Sequence, residues 1–216
     1  MKKLLLLCVA MAGSMMAQNA RIRVVHASPD APAVDILVNG AKVLEGIPFL
    51  GYSDYLSVPA GRYDIRVNVT GTETTVLRAN PELSSGNDFT AIAVGKVANL
   101  DLKLIADNNL EPAAGMVRLR AIHAAPSAPT VDIYATTPYG VLAAPTLAGV
   151  PFNAASDYLE VPAGTYQARV AVAGTKTVAI DSGRLPLSGG AVRTVLAVDS
   201  KGGGAPFTFL ILPDLH

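Results

Sequence analysis

One segment of this chain occurs twice. Residues 23–40 read RVVHASPDAPAVDILVNG and residues 120–137 read RAIHAAPSAPTVDIYATT, so His26, Pro29, Pro32 and Asp35 fall on His123, Pro126, Pro129 and Asp132. A second block follows in each copy, PFLGYSDYLSVPAGRYDIRV at 48–67 and PFNAASDYLEVPAGTYQARV at 151–170. The second copy gains six residues between the blocks, around Thr136 to Leu147. The ends match more loosely, LKLIAD at 102–107 against FLILPD at 209–214. A repeat of this length means that one folding unit has been used twice. The 216 residues then divide into a leader at 1–20, a first unit at 21–108, a linker at 109–116 and a second unit at 117–216. So short a linker holds the units packed together or at a fixed angle.

Each unit reads as antiparallel β. Tyr63, Ile65, Val67 and Val69 alternate with Asp64, Arg66 and Asn68, and Tyr166, Ala168, Val170 and Val172 repeat the pattern. A period of two marks a strand with one buried face. Asn39-Gly40 signals a hairpin, and Gly71-Thr72 and Gly174-Thr175 mark a further turn. Val58-Pro59-Ala60-Gly61 and its copy Val161-Pro162-Ala163-Gly164 read as tight turns with a glycine of positive φ at Gly61 and Gly164. The proline loops SPDAP and APSAP cannot continue a ladder and should cross between sheets. Segments 89–97 and 100–106 are apolar at most positions, as in the middle of a core. Seven or eight short strands per unit, with no helical period, predict two tandem antiparallel β-sandwiches of immunoglobulin-like or prealbumin-like type.

The segment HASPDAPAVDILVNG followed by VPAGRYDIRV resembles the domain-of-unknown-function family 4397, and the resemblance covers both units. It implies exported bacterial β-domains, often in tandem and often on envelope proteins. It implies no reaction. Ser127 stands in the second copy where the first has Asp30.

The leader has the layout of a secretory signal peptide: Lys2 and Lys3, an apolar run from Leu4 to Ala12, then small residues with Ala17 and Ala20 as cleavage ends. The mature chain is expected to begin at Gln18 or Arg21, in the periplasm or at the cell surface. No run approaches the roughly 20 apolar residues of a membrane-spanning helix. Cys8 is the single cysteine and lies in the leader, where it also raises the question of a lipid anchor. The mature chain therefore lacks disulfides, thiolate metal sites and cysteine nucleophiles. Lys+Arg and Asp+Glu both total 17, and loss of Lys2 and Lys3 leaves a net charge of −2. With no basic excess, nucleic acid is not an expected partner.

No GxSxG, Walker loop, HExxH or strand-following GxGxxG motif occurs. Gly202-Gly203-Gly204 precedes a strand and reads as a hairpin loop, and the sequon at Asn68 lies within a strand. Polar residues present in both copies, namely Asp35/Asp132, Ser53/Ser156, Asp54/Asp157, Tyr55/Tyr158, Tyr63/Tyr166 and Arg66/Arg169, are expected to serve the fold, since a catalytic site is needed once. Tyr63 and Tyr166 should bond backbone through the hydroxyl, Asp54 and Asp157 should accept backbone N–H groups, and Asp35 should pair with Arg66. The histidines carry the one sharp signal. His26 and His123 end equivalent strands, His216 follows the last strand, and Asp35 or Asp132 could fix a ring tautomer. The leading expectation is a non-catalytic structural or interaction protein of the cell envelope, an accessory subunit of a surface assembly or an adhesion module, without cofactor, with other envelope or surface-layer proteins or its own copies as partners. The alternative is a copper protein with redox or superoxide dismutase activity on His26, His123 and His216, because imidazole suits copper(II). A second alternative is a carbohydrate or small-ligand module using exposed tyrosines.

Overall fold

The structure is a computed structural model and describes residues 19–214. The predicted signal peptide up to residue 18, with Cys8, and the C-terminal His216 lie outside the described residues. The first unit is built from β1 (Ala20–His26), β2 (Val34–Val38), β3 (Ala41–Ile47), β4 (Leu56–Val58), β5 (Gly61–Arg62), β6 (Ile65–Val69), β7 (Thr75–Ala79), β8 (Glu82–Leu83), β9 (Asp88–Val94) and β10 (Asp101–Asp107). The second comprises β11 (Met116–His123), β12 (Val131–Thr136), β13 (Leu147–Val150), β14 (Leu159–Pro162), β15 (Gly164–Val172), β16 (Val178–Asp181), β17 (Leu185–Leu187), β18 (Val192–Val198) and β19 (Thr208–Pro213). Each unit is a sandwich. Sheets β4-β1-β9-β10 and β3-β2-β6-β7 form the first, and β14-β11-β18-β19 and β13-β12-β15-β16 form the second. Pairing is antiparallel throughout except for β1 with β9 and β11 with β18, which are parallel. Those partners are separated by an excursion through the other sheet, and so long a crossover permits the parallel direction.

The two sandwiches share a core. On β1, Ile22 and Val24 face inward and line an apolar gap of about 80 Å³ with Ile36, Val38 and Ile65 of the opposite sheet. The alternate residue Val25 faces outward and packs with Ile92 and Val94 of its own unit against Ile122, Leu196 and Leu212 of the other. The sheets therefore stack four deep, with β4-β1-β9-β10 against β14-β11-β18-β19 at the centre. This is why β9 is buried at every position and why its sequence, Asp88 and Thr90 apart, is apolar on both faces rather than alternating.

The turn chemistry is mostly local. Asn39 (φ 51°) and Gly40 (φ 84°) are both left-handed, as a two-residue hairpin between β2 and β3 requires. The proline loops carry the chain from β1 to β2 and from β11 to β12, which lie in different sheets. Gly202, Gly203 and Gly204 lie between β18 and β19, all with positive φ, and the Gly202 N–H reaches the Pro29 carbonyl of the first unit (2.7 Å). The VPAG segments differ from expectation. They are corners between sheets, because β4 pairs with β1 whereas β5 pairs with β8. Gly61 has the positive φ expected of it (152°), whereas Gly164 is not among the glycines of positive φ. A corner needs only that the chain leave its ladder; Pro59, lacking an N–H, directly follows β4, whereas Pro162 is the last residue of β14 itself. The corner is closed by tyrosine: the Tyr63 hydroxyl donates to the Pro59 carbonyl (2.5 Å) and that of Tyr166 to the Pro162 carbonyl (2.8 Å).

Candidate functional site

The most concentrated polar chemistry lies between the sandwiches. Arg23 of β1 and Arg120 of β11 are equivalent residues, and their side chains are 2% exposed. Each crosses to the other unit. Arg23 pairs with Asp214, just past the end of β19, and Arg120 pairs with Asp107, which ends β10. Each guanidinium also donates to a carbonyl there: Arg23 to Pro213 (2.7 Å), Arg120 to Ala106 (3.1 Å). Two threonines close a ring. Thr90 accepts from Arg23 (2.8 Å) and donates to Asp107 (2.6 Å), while Thr194 accepts from Arg120 (2.9 Å) and donates to Asp214 (2.7 Å). The Tyr55 and Tyr158 hydroxyls complete the carboxylates at 2.7 Å each, and the two rings lie under Arg23 and Arg120 at 4.8 and 4.7 Å. Burial, reinforced by the adjacent carboxylates, pushes both phenols up from their ordinary value. The arrangement has approximate two-fold symmetry, and every charge in it has a counter-ion and hydrogen bonds.

The histidines are held within their own units. His26 is 1% exposed, and its Nε2 lies 3.0 Å from the Pro32 carbonyl while Nδ1 accepts the Ser28 N–H at 3.3 Å. His123 is 0% exposed and repeats this with the Pro129 carbonyl (3.0 Å) and the Ala125 N–H (3.4 Å). The carbonyl requires a proton on Nε2, and the N–H donated to Nδ1 requires that atom to be unprotonated, so each ring is neutral and its tautomer fixed. The tautomer partner is thus a proline carbonyl of the loop, not Asp35 or Asp132. A metal on either ring would have to displace one of these backbone bonds. Among the described residues, no group of three or more His, Cys, Asp or Glu side chains is placed to hold a metal ion.

Burial lowers the pKa of both histidines below the ordinary 6.5. Below that value the unfolded chain takes up protons that the folded rings refuse, so stability is complete above pH 6.5 and falls as the pH drops through it, until the folded rings themselves protonate. Melting temperatures between pH 7.5 and 5 should show this fall. The double variant His26→Gln/His123→Gln should lose that part of the slope, and an unchanged slope would contradict the assignment.

The other duplicated residues brace turns. Asp35 accepts the Gly46 N–H (2.9 Å) and the Gly71 N–H (3.4 Å), and Asp132 accepts those of Gly149 (2.7 Å) and Gly174 (2.9 Å). The Lys42 ammonium and these N–H groups hold Asp35 well below the usual carboxylate range. Asp35 does not pair with Arg66. The register sets it opposite Asn68, with Arg66 opposite Leu37, and Arg66 bonds Asp64 instead. The bonds expected of Asp54 and Asp157 are made by their neighbours: Ser53 Oγ accepts the Val24 N–H (3.0 Å) and Ser156 Oγ that of Ala121 (2.9 Å). The Arg23–Asp214 and Arg120–Asp107 pairs were missed by sequence reasoning. Their signal was present, an arginine recurring three residues before the histidine of each copy and an aspartate recurring at the end of the last strand of each copy.

Two tyrosines are exposed, Tyr52 (42%) and Tyr139 (79%). Tyr52 borders a groove of about 330 Å³ with Arg21, Ser53, Asp54, Tyr55 and Asp214. No described helix is long and apolar enough to cross a membrane.

The model of the family described as "Domain of unknown function (DUF4397)" matches residues 20–134 and 139–216. No curated protein matches the chain. Among solved structures, the Bacillus anthracis TIE protein is similar at 13% identity and a TM-score of 0.27, over 85% of this chain and 34% of that one, so this chain spans about a third of its length. A structure described as "Alpha-glucan binding by a streptococcal virulence factor" is similar at 14% identity and a TM-score of 0.27, over 82% of this chain and 92% of that one. Family 41 carbohydrate-binding modules from streptococcal virulence factors are similar at 13% identity and a TM-score of 0.28, over the same shares. Similarity this low carries no ligand across to this chain.

Proposed function

The chain belongs to the DUF4397 family, and from that premise we propose that it is an exported, non-catalytic interaction protein of the bacterial cell envelope, an accessory subunit of a surface assembly or an adhesion module. The observation that carries this reading is where the duplicated polar side chains go. The histidines bond their own proline loops, the aspartates brace glycine turns, and the arginines clamp one sandwich to the other. None of His26, His123, Asp35, Asp132, Arg23 and Arg120 is left as a free nucleophile, base or open ligand set, while the duplicated Asp54 and Asp157 stay exposed. The family resemblance and the charged, apolar, then small pattern of residues 1–20 support export.

Fractionation of producing cells, with intact-mass measurement of the purified protein, tests this. The chain should be found outside the cytoplasm with a mass that begins at Gln18 or Arg21, and one equivalent of copper(II) should leave its melting temperature unchanged. A cytoplasmic chain retaining Met1 would overturn the export reading. A copper-dependent rise in melting temperature that His26→Ala, His123→Ala and His216→Ala each abolish would establish the copper alternative instead.

A further inference from the structure

The first copy is a control for the second, because one fold is built twice with different side chains between its sheets. Val24 of β1, Val38 of β2 and Ile65 of β6 face the layer between the sheets of the first sandwich. Their counterparts on β11, β12 and β15 are Ala121, Ala135 and Ala168. The consequence reaches beyond those positions. Ile22, Ile36, Ile65 and Ala91 are buried, at 7% exposure or less, whereas the matching Leu119, Ile133, Ala168 and Val195 are only half-buried. Ala135 and Ile211 face the layer as well, and both are exposed.

The layer of the second sandwich is therefore an open crevice. It passes under all four strands of one sheet, along Leu159 of β14, Leu119 of β11, Val195 of β18 and Phe209 of β19. The gap in the first sandwich touches only β1 and β4 of the matching sheet. Phe207 and Phe209 pack with Val131, Val150 and Val170 on one side of the layer, and their bulk holds the sheets apart where the alanines have drawn back. The polar groups that border the crevice are engaged elsewhere: the Arg120 guanidinium across the interface, the Tyr134 hydroxyl with Lys176 (3.0 Å) and Thr146 Oγ1 with the Ala135 N–H (2.9 Å). Water inside finds no side-chain partner, the condition under which a cavity favours an apolar occupant.

The shape selects that occupant. Four adjacent strands span about 14 Å, while the crevice holds about 90 Å³. At roughly 10–15 Å³ for each water-sized occupant, that is about six to nine atoms, enough for a single file along the slot and too few for a ring system. We propose that the crevice of the second sandwich binds one unbranched alkyl chain of about eight carbons, laid lengthwise between the sheets with its polar end left in solvent. The chain is the recognised group, whether it arrives as an acid, an alcohol or an ester.

The test is isothermal titration calorimetry of the purified full-length chain with octanoate and with its branched isomer 2-propylpentanoate, below the concentration at which either forms micelles. Octanoate should bind, and the isomer should bind at least about tenfold more weakly because the slot admits one file of atoms. From hexanoate through heptanoate to octanoate, affinity should rise about fourfold per methylene. Octan-1-ol should bind within about threefold of octanoate, since the chain and not the carboxylate is held. Ala121→Val/Ala168→Ile writes the first copy's residues into the second. It should weaken octanoate at least about tenfold while melting no lower than the wild type, because it fills empty space. The isomer and chain-length comparisons need no variant, so they decide the matter even where the double variant folds poorly. No binding of octanoate at about 10 mM, far above the sub-millimolar range that so many buried methylenes give, would overturn the proposal. So would an isomer that binds equally well, an alcohol that does not bind, or a well-folded double variant with unaltered affinity.

Discussion

Replacing Asp214 with alanine should destabilise the entire chain by about 3–5 kcal/mol, measured by denaturant titration, because it leaves the Arg23 guanidinium buried without a counter-ion. That side chain is 2% exposed and has no second carboxylate to turn to among the described residues. Asp107→Ala should do the same through Arg120. The two losses should not add, since Thr90 and Thr194 link both pairs into one ring. Removing a whole pair has a different consequence. Arg23→Met with Asp214→Leu takes both desolvation penalties away together, so it should be far milder than either single change. A double variant as damaged as Asp214→Ala would show that the packing around the pair, rather than its charge balance, governs stability.

The second large effect is expected from Leu196→Ala, at about 2–5 kcal/mol. Leu196 is completely buried and lies in the cluster that Val25, Ile92 and Val94 of the first sandwich form with Ile122 and Leu212 of the second. The cavity would open at the plane between the sandwiches. The loss should therefore appear in the stability of both copies, and tryptophans introduced at Tyr63 and at Tyr166, one per sandwich, should report it at the same denaturant concentration.

The sheets were largely legible, and the way they pack was not. Alternation at Tyr63 to Val69 gave a half-buried strand, and Asn39-Gly40 gave its hairpin, because both are local chemistry. A period of two says that a face is buried but not what buries it. Residues such as Val25 and Ile92 therefore read as ordinary core, although they face the other copy. Arg23 and Arg120 open the repeated block, yet a strand arginine signals solvent unless its counter-ion is known, and Asp214 lies far along the chain. His26 and His123 drew attention for their chemistry, while their real partners are carbonyls, which no side-chain pattern displays. Gly164 was misplaced in φ because a corner between sheets and a hairpin turn share the same Pro-Ala-Gly spelling. The six-residue gain was visible from the repeat alone. The side chains that bond this inserted loop, Gln167, Arg169 and Lys176, were not, since they come from later in the chain.

The central claim is that the duplication has produced one closed body, in which residues present in both copies hold the copies to themselves and to each other. Differential scanning calorimetry of the wild type, Asp107→Ala and Asp214→Ala tests it most directly. A single transition is expected for the wild type, with calorimetric and van't Hoff enthalpies equal, and each variant should move that whole transition down by a similar amount. Two separable transitions, with each substitution lowering only one of them, would contradict the account.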